Sequence, residues 1–196
     1  MQSLGLSDST PKTEGRLKSL FWPTIRNEVD LDVVTTQGFW LCAVVAAFTL
    51  VFALMSRGAL PKTIGLFEAA FYFLAGLGVR MRSRIAAGAA FTAYLLGGAV
   101  LQKYTGQGFG IPRLIFLALL LANVRGIWLS ATWTVAGPEE SPVRLSETWR
   151  DKLSDQVPAL VWPKAKFIFY VVALVEFAVL LLELFPFVPA TSGAVA

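Results

Sequence analysis

The chain of 196 residues contains no histidine and a single cysteine, Cys42. Without histidine, the commonest ligands for zinc and haem iron are missing, and so is the base of Ser-His and Cys-His nucleophile pairs. One cysteine cannot close an intrachain disulfide, so the redox compartment is not legible. Charge is scarce as well. Asp, Glu, Lys and Arg make up 15% of the residues, where a soluble domain carries about 25%. Gly106-Gln107-Gly108-Phe109-Gly110 has the glycines of a phosphate-binding turn but not the strand-to-helix context that gives such a turn its chemistry. These absences leave no catalytic constellation, no metal-ligand cluster and no cofactor motif. The expectation is a protein that is not an enzyme and holds no cofactor or metal.

What the chain has in excess is apolar side chains, 56% of the total, gathered into long runs. Five runs stand out, at 39–55, 63–79, 85–101, 113–133 and 167–185. At a rise of ~1.5 Å per residue, each covers roughly 25–31 Å, the thickness of a bilayer's hydrocarbon core. The expected fold is all-α, a polytopic membrane bundle of five transmembrane helices over residues 37–188. A polar tail, 1–36, precedes it and a short external tail, 189–196, follows. The first run lacks a small-residue cleavage site, so no cleavable signal is expected. Pro112 suits the first turn of the fourth helix, where its missing N–H costs nothing.

The longest hydrophilic stretch separates the fourth and fifth runs. Ser141-Pro142 is a helix start, and Leu145, Trp149, Leu153 and Val157 then recur every four residues. That spacing lines them along one face, opposite Arg150, Lys152 and Asp155, and predicts an amphipathic helix at about 142–157, on the membrane surface or docked to the bundle, ending at or before Pro158.

The net charge of +4 reflects where the basic residues fall rather than a nucleic-acid partner. Lys12, Arg16, Lys18, Arg26, Arg80, Arg82, Arg84, Arg144, Arg150, Lys152, Lys164 and Lys166 share one side if five spans alternate. Arg57, Lys62, Lys103 and Arg113 take the other, and Arg125 lies within a span. Twelve against four puts the N-terminus in the cytoplasm and the C-terminus outside. Trp22, Trp133 and Trp162 fall near the cytoplasmic interface, where amphipathic rings anchor.

In lipid, helices associate through close backbone packing and polar contacts. Ala89, Ala93 and Gly97 in the third span repeat every four residues, as do Ala118, Ala122 and Gly126 in the fourth. Both grooves are expected at tight helix contacts, against each other or another helix of the bundle, the alternative being a groove for a lipid or a partner helix.

Glu68, Arg125 and Glu176 are intramembrane charges, each costing at least ~2.5 kcal/mol near the bilayer centre. By helical rise Arg125 and Glu176 lie roughly 12 and 15 Å from the cytoplasmic end. Three readings are open: a register-fixing Arg125–Glu176 ion pair, a proton or ion path lined by Glu68 and Glu176, and an Arg125 that snorkels with Asn123 to the interface.

One set of motifs carries a resemblance. Glu68 precedes Gly76 and Gly78, then Arg82-Ser83-Arg84-Ile85-Ala86-Ala87, then Asn123-Val124-Arg125-Gly126-Ile127, and Trp162-Pro163-Lys164 enters the last span. Over roughly residues 60–185 the chain resembles a group of small, uncharacterised bacterial multispanning inner-membrane proteins. The resemblance implies a bacterial cytoplasmic membrane and no particular activity. It also implies a Glu68–Arg125 pair as a rival to Arg125–Glu176.

The functional expectation is a non-catalytic scaffold or accessory subunit. Its partners would be the lipid bilayer and a protein in the membrane or cytoplasm, with a homo-oligomer also open and no nucleic acid. The alternative is a small transporter or channel component with Glu68, Glu176 and Arg125 along its path.

Overall fold

The computed structural model describes residues 21–25, 28–106, 109–131 and 149–185. Residues 1–20 of the expected N-terminal tail, the tail 189–196, Trp133 and residues 142–148 of the expected amphipathic helix lie outside them. The described part is all-helical. Its helices are α1 (Glu28–Met55), α2 (Ala59–Arg80), α3 (Arg84–Thr105), α4 (Ile111–Ser130) and α5 (Trp149–Leu184). All five are long and apolar enough to cross a membrane. Their outward surface is apolar too: Phe52 is 68% exposed and Leu174 72% exposed, a distribution that suits lipid rather than water.

Helix ends follow from local chemistry. Pro112 sits in the first turn of α4, as its fixed φ favours. Between α2 and α3 the chain reverses within three residues. Arg82 adopts a left-handed backbone, φ 58°, and closes α2 with the bond pair of a Schellman turn. The Arg82 N–H donates to Val79 O at 3.0 Å and the Ser83 N–H to Gly78 O at 2.9 Å. Ser83 then caps α3, its Oγ accepting the Ala86 N–H at 3.3 Å.

The helices pack as a ring in the order α1, α2, α5, α3, α4, back to α1, and α2 and α3 also meet across it. Phe71 and Phe169, both fully buried, stack 6.0 Å apart where α2 meets α5. Trp162 belongs to this core rather than to the interface expected for it. It is buried beside Phe169, its ring against Gly78, where a β-carbon would collide with both Trp162 and Ala86. A ring packed into a glycine gap on another helix gains more than an exposed one.

The small-residue stripes are buried only in part. Ala89 and Ala93 are buried in α3, but Gly98 rather than Gly97 is the close-packed glycine, pressed by Phe109 and Arg113. Helices α3 and α4 are neighbours, yet Gly126 opens toward α1 and the segment before it, where Val34 and Leu31 of α1 and Ile25 ahead of it fill its space. Ala118 is half-buried. Asn123, also buried, fits over Gly38 of α1, a position where any β-carbon would overlap its amide.

Two boundaries differ from expectation. First, α1 begins at Glu28 instead of within the expected first span at 39–55, so the supposed tail 1–36 contributes helix. Leu31, Val34 and Thr35 are buried, with Val79, Ala87 and Ile127 in the same cluster as Leu31 and Val34. Second, the amphipathic segment does not stop before Pro158. From Trp149 onward it is one helix of 36 residues running through Pro158 and Pro163 to Leu184. At ~1.5 Å per residue this exceeds a ~30 Å core by about 24 Å, so part of α5 stands beyond the core.

Candidate functional site

The polar chemistry divides between the two ends of the bundle. At the end where α1 and α5 begin and α2 finishes, Arg80 is the centre. It closes α2, and its side chain is 10% exposed. Its Nη1 lies 2.6 Å from Asp32 Oδ1 and donates to Thr35 Oγ1 at 3.0 Å, both on α1. Its Nη2 lies 2.5 Å from Asp155 Oδ1 on α5. Its Nε donates to the Ser154 carbonyl and to Asp155 Oδ1, each at 3.1 Å. Thr35 Oγ1 in turn donates to Asp32 O, and Ser154 Oγ to Asp155 Oδ1.

The Ser154 carbonyl explains why α5 survives its first internal proline. In a regular helix it would accept the N–H of residue 158, four positions on, but Pro158 has none. Arg80 supplies the donor instead. One guanidinium therefore ties three helices, using a planar fork that lysine lacks. The sequence reads Arg80 as one of the cytoplasmic basic residues, Asp155 as part of the polar face of the amphipathic helix and Asp32 as the end of a charged stretch, and marks none of them, nor Thr35 or Ser154, as a partner of Arg80. No local pattern marks them, because the partners lie 45 to 75 positions apart in the chain.

Arg125 lies toward this end of α4, and it pairs with neither carboxylate. Its Nη1 donates to the Pro23 carbonyl at 2.9 Å and its guanidinium stacks on the Trp22 ring, 4.6 Å from the centroid. The Arg125–Glu176 pair is thus absent, and α4 and α5 are not principal packing partners in the ring. Matching depths counted from sequence carry no information about which helices adjoin. The Glu68–Arg125 pair implied by the resemblance is absent for a simpler reason. Glu68 sits in the half of α2 far from Arg80, while Arg125 sits toward the Arg80 end.

Glu68 and Glu176 instead come together away from Arg80. They are electrostatic neighbours, with Glu183 close to both and Arg113 close to Glu68. Glu176 is 7% exposed. Among the described residues neither carboxylate has an ion-pair partner within bonding distance. Tyr72, four residues after Glu68 and so on the same face of α2, is an electrostatic neighbour of both. Its ring meets Tyr94 edge-on at 6.3 Å, and Tyr94 carries the Arg113 guanidinium at 5.0 Å. At the outermost edge Lys103 Nζ donates to the carbonyls of Glu183 and Leu184, at 2.6 and 3.2 Å, and so caps the end of α5.

Among the described residues no group of three or more Asp, Glu, Cys or His side chains is arranged to hold a metal ion. No protein-family model matches the chain, and neither a curated protein nor a solved structure is detectably similar to it.

Proposed function

We propose that this protein is a multi-pass component of a bacterial cytoplasmic membrane, N-terminus inside and C-terminus outside. In this reading it is a non-catalytic scaffold or accessory subunit, and its Arg80 end presents α5 to a protein partner in the membrane or cytoplasm. The observation that carries the reading is the Arg80 node. It fixes the first turns of α5 to α1 and α2 with bonds satisfied on three helices. Such an arrangement suits a rigid presenting surface better than a moving gate. Beyond the node, Trp149, Leu153 and Leu160 stand exposed on α5, beside the side that the basic residues assign to the cytoplasm.

The test is site-specific photo-crosslinking in native membranes, with a photoreactive residue placed at 149, 153 or 160. A discrete protein adduct that weakens when Arg80 is replaced by Ala supports the scaffold. Adducts to lipid alone at all three positions count against it.

A second reading has its own observation. Glu68 and Glu176 lie together without a basic partner at bonding distance, as a small transporter or channel component would hold them. Arg125 leaves that path, since it is bound to Pro23 and Trp22.

A further inference from the structure

The guanidinium of Arg125 is half-buried on α4, and its bonding is incomplete. A guanidinium carries five N–H groups and no acceptor. Among the described residues only one of the five is used, from Nη1 to the Pro23 carbonyl at 2.9 Å, and no acid pairs with the charge. Arg80 makes the contrast, since two aspartates neutralise it. Among the described residues the buried polar atoms left without a partner are Arg113 Nε and Asn123 Oδ1, so the spare N–H groups of Arg125 are open to the surface.

That surface faces lipid. Helical spacing puts Leu121, Trp128 and Leu129 on the Arg125 side of α4, and all three are exposed. Asn123 takes no part, being buried over Gly38 of α1. By helical rise Arg125 lies about 8 Å inside the end of α4, a depth from which a long side chain reaches the headgroup layer. Trp22 lies across the guanidinium, 4.6 Å from it at the ring centroid, and is 47% exposed. Its indole N–H is a donor only, and it has no partner among the described residues. Trp22 and Pro23 precede α1, so two segments 102 positions apart build one donor-lined corner.

Both side chains that meet here donate, and neither accepts. What completes them is an acceptor that brings negative charge. At a membrane surface that is the phosphodiester of a phospholipid, which a guanidinium binds through two parallel N–H bonds. A zwitterionic headgroup carries its own cation to the site, whereas an anionic one leaves the charge of Arg125 to be balanced.

We propose that Trp22, Pro23 and Arg125 form a binding site for the phosphate of an anionic phospholipid, in the leaflet at the Arg80 end. Arg125 takes the phosphate, the Pro23 carbonyl and the Trp22 ring hold the guanidinium in place, and Leu121 meets the acyl chains. The site is separate from the α5 surface offered to a protein partner, so either can fail alone.

The test uses the full chain in phosphatidylcholine vesicles that contain a small fraction of photoactivatable lipid. The probe is phosphatidylglycerol with a diazirine near the headgroup, and the comparison is phosphatidylcholine with the same group. Adducts are mapped by mass spectrometry. The expected result is several-fold more label from the phosphatidylglycerol probe on residues 21–25 and 121–129, competed by unlabelled phosphatidylglycerol and untouched by inorganic phosphate. Arg125→Ala should abolish that preference. Because this variant also releases the Pro23 carbonyl, the unaltered chain carries the test by itself: equal labelling by the two probes, or a preference mapped elsewhere, overturns the proposal. So does a preference that survives Arg125→Ala in a folded chain. Competition by inorganic phosphate overturns it in favour of a soluble-phosphate site, and a protein crosslink from these positions in place of lipid adducts overturns it in favour of a protein contact.

Discussion

The carbonyl of Ser154, left without a helical donor by Pro158, receives the Nε of Arg80 at 3.1 Å. A proline that breaks a helix locally is here offset by an arginine from a different helix. The same arginine carries both aspartates of the node, so continuity of α5 and docking of α5 depend on one side chain.

Replacing Arg80 with Ala should therefore be severe. It strands Asp32, Asp155 and the Ser154 carbonyl together. Loss of one partner of a buried pair costs about 3–5 kcal/mol; with Asp155 41% exposed, about 2–3 kcal/mol is expected here. Arg80→Lys should recover little, because a single ammonium cannot reach three helices. Thermal unfolding in detergent, followed by circular dichroism, measures both.

Pro158→Ala should couple to Arg80→Ala. Alanine restores an N–H four residues after Ser154, so the carbonyl no longer depends on Arg80. In a double-mutant cycle the pair should cost less than the sum of its members by about 1 kcal/mol, the worth of one hydrogen bond. Strict additivity would mean that the Ser154 contact contributes nothing.

At position 82 the comparison of interest is Gly against Ala. Both remove the arginine side chain, so the difference isolates the left-handed backbone. Arg82→Gly should be more stable than Arg82→Ala by about 1 kcal/mol. Equal unfolding temperatures for the two would argue against the Schellman closure of α2.

Glycines of one helix should differ sharply from those of another. Gly78→Ala drives a methyl into Ala86 and Trp162 and should cost about 1–3 kcal/mol. Gly88→Ala meets open space and should be neutral or gain up to about 1 kcal/mol of helix propensity.

The five helices were legible because a bilayer demands an unbroken apolar run, and such runs survive in sequence whatever the tertiary structure. Pro112 was legible for a similar reason, since its role is local. What was hidden is pairing. Asp32 reads as a surface charge until Arg80 neutralises it from another helix, which is why the start of α1 was placed too late. Pro158 reads as a stop because the rule for proline counts only donors within the same helix. The stripe of Ala122 and Gly126 announced a tight contact correctly in kind, but periodicity names a face and not the neighbour, which is α1. Arg125 and Glu176 show the same limit: equal depth was visible, adjacency was not.

Five crossings with the Arg80 end in the cytoplasm is the claim on which partner docking depends, and thiol labelling tests it most directly. Single cysteines would be placed in a Cys42→Ala background as Arg84→Cys, Tyr104→Cys and Trp149→Cys, all exposed positions. Sealed right-side-out and inverted vesicles would then meet a membrane-impermeant maleimide. The predicted result is labelling of positions 84 and 149 from the cytoplasmic face only, and of position 104 from the opposite face only. Labelling of 84 and 104 from the same face, or of 149 from the outer face, would contradict it.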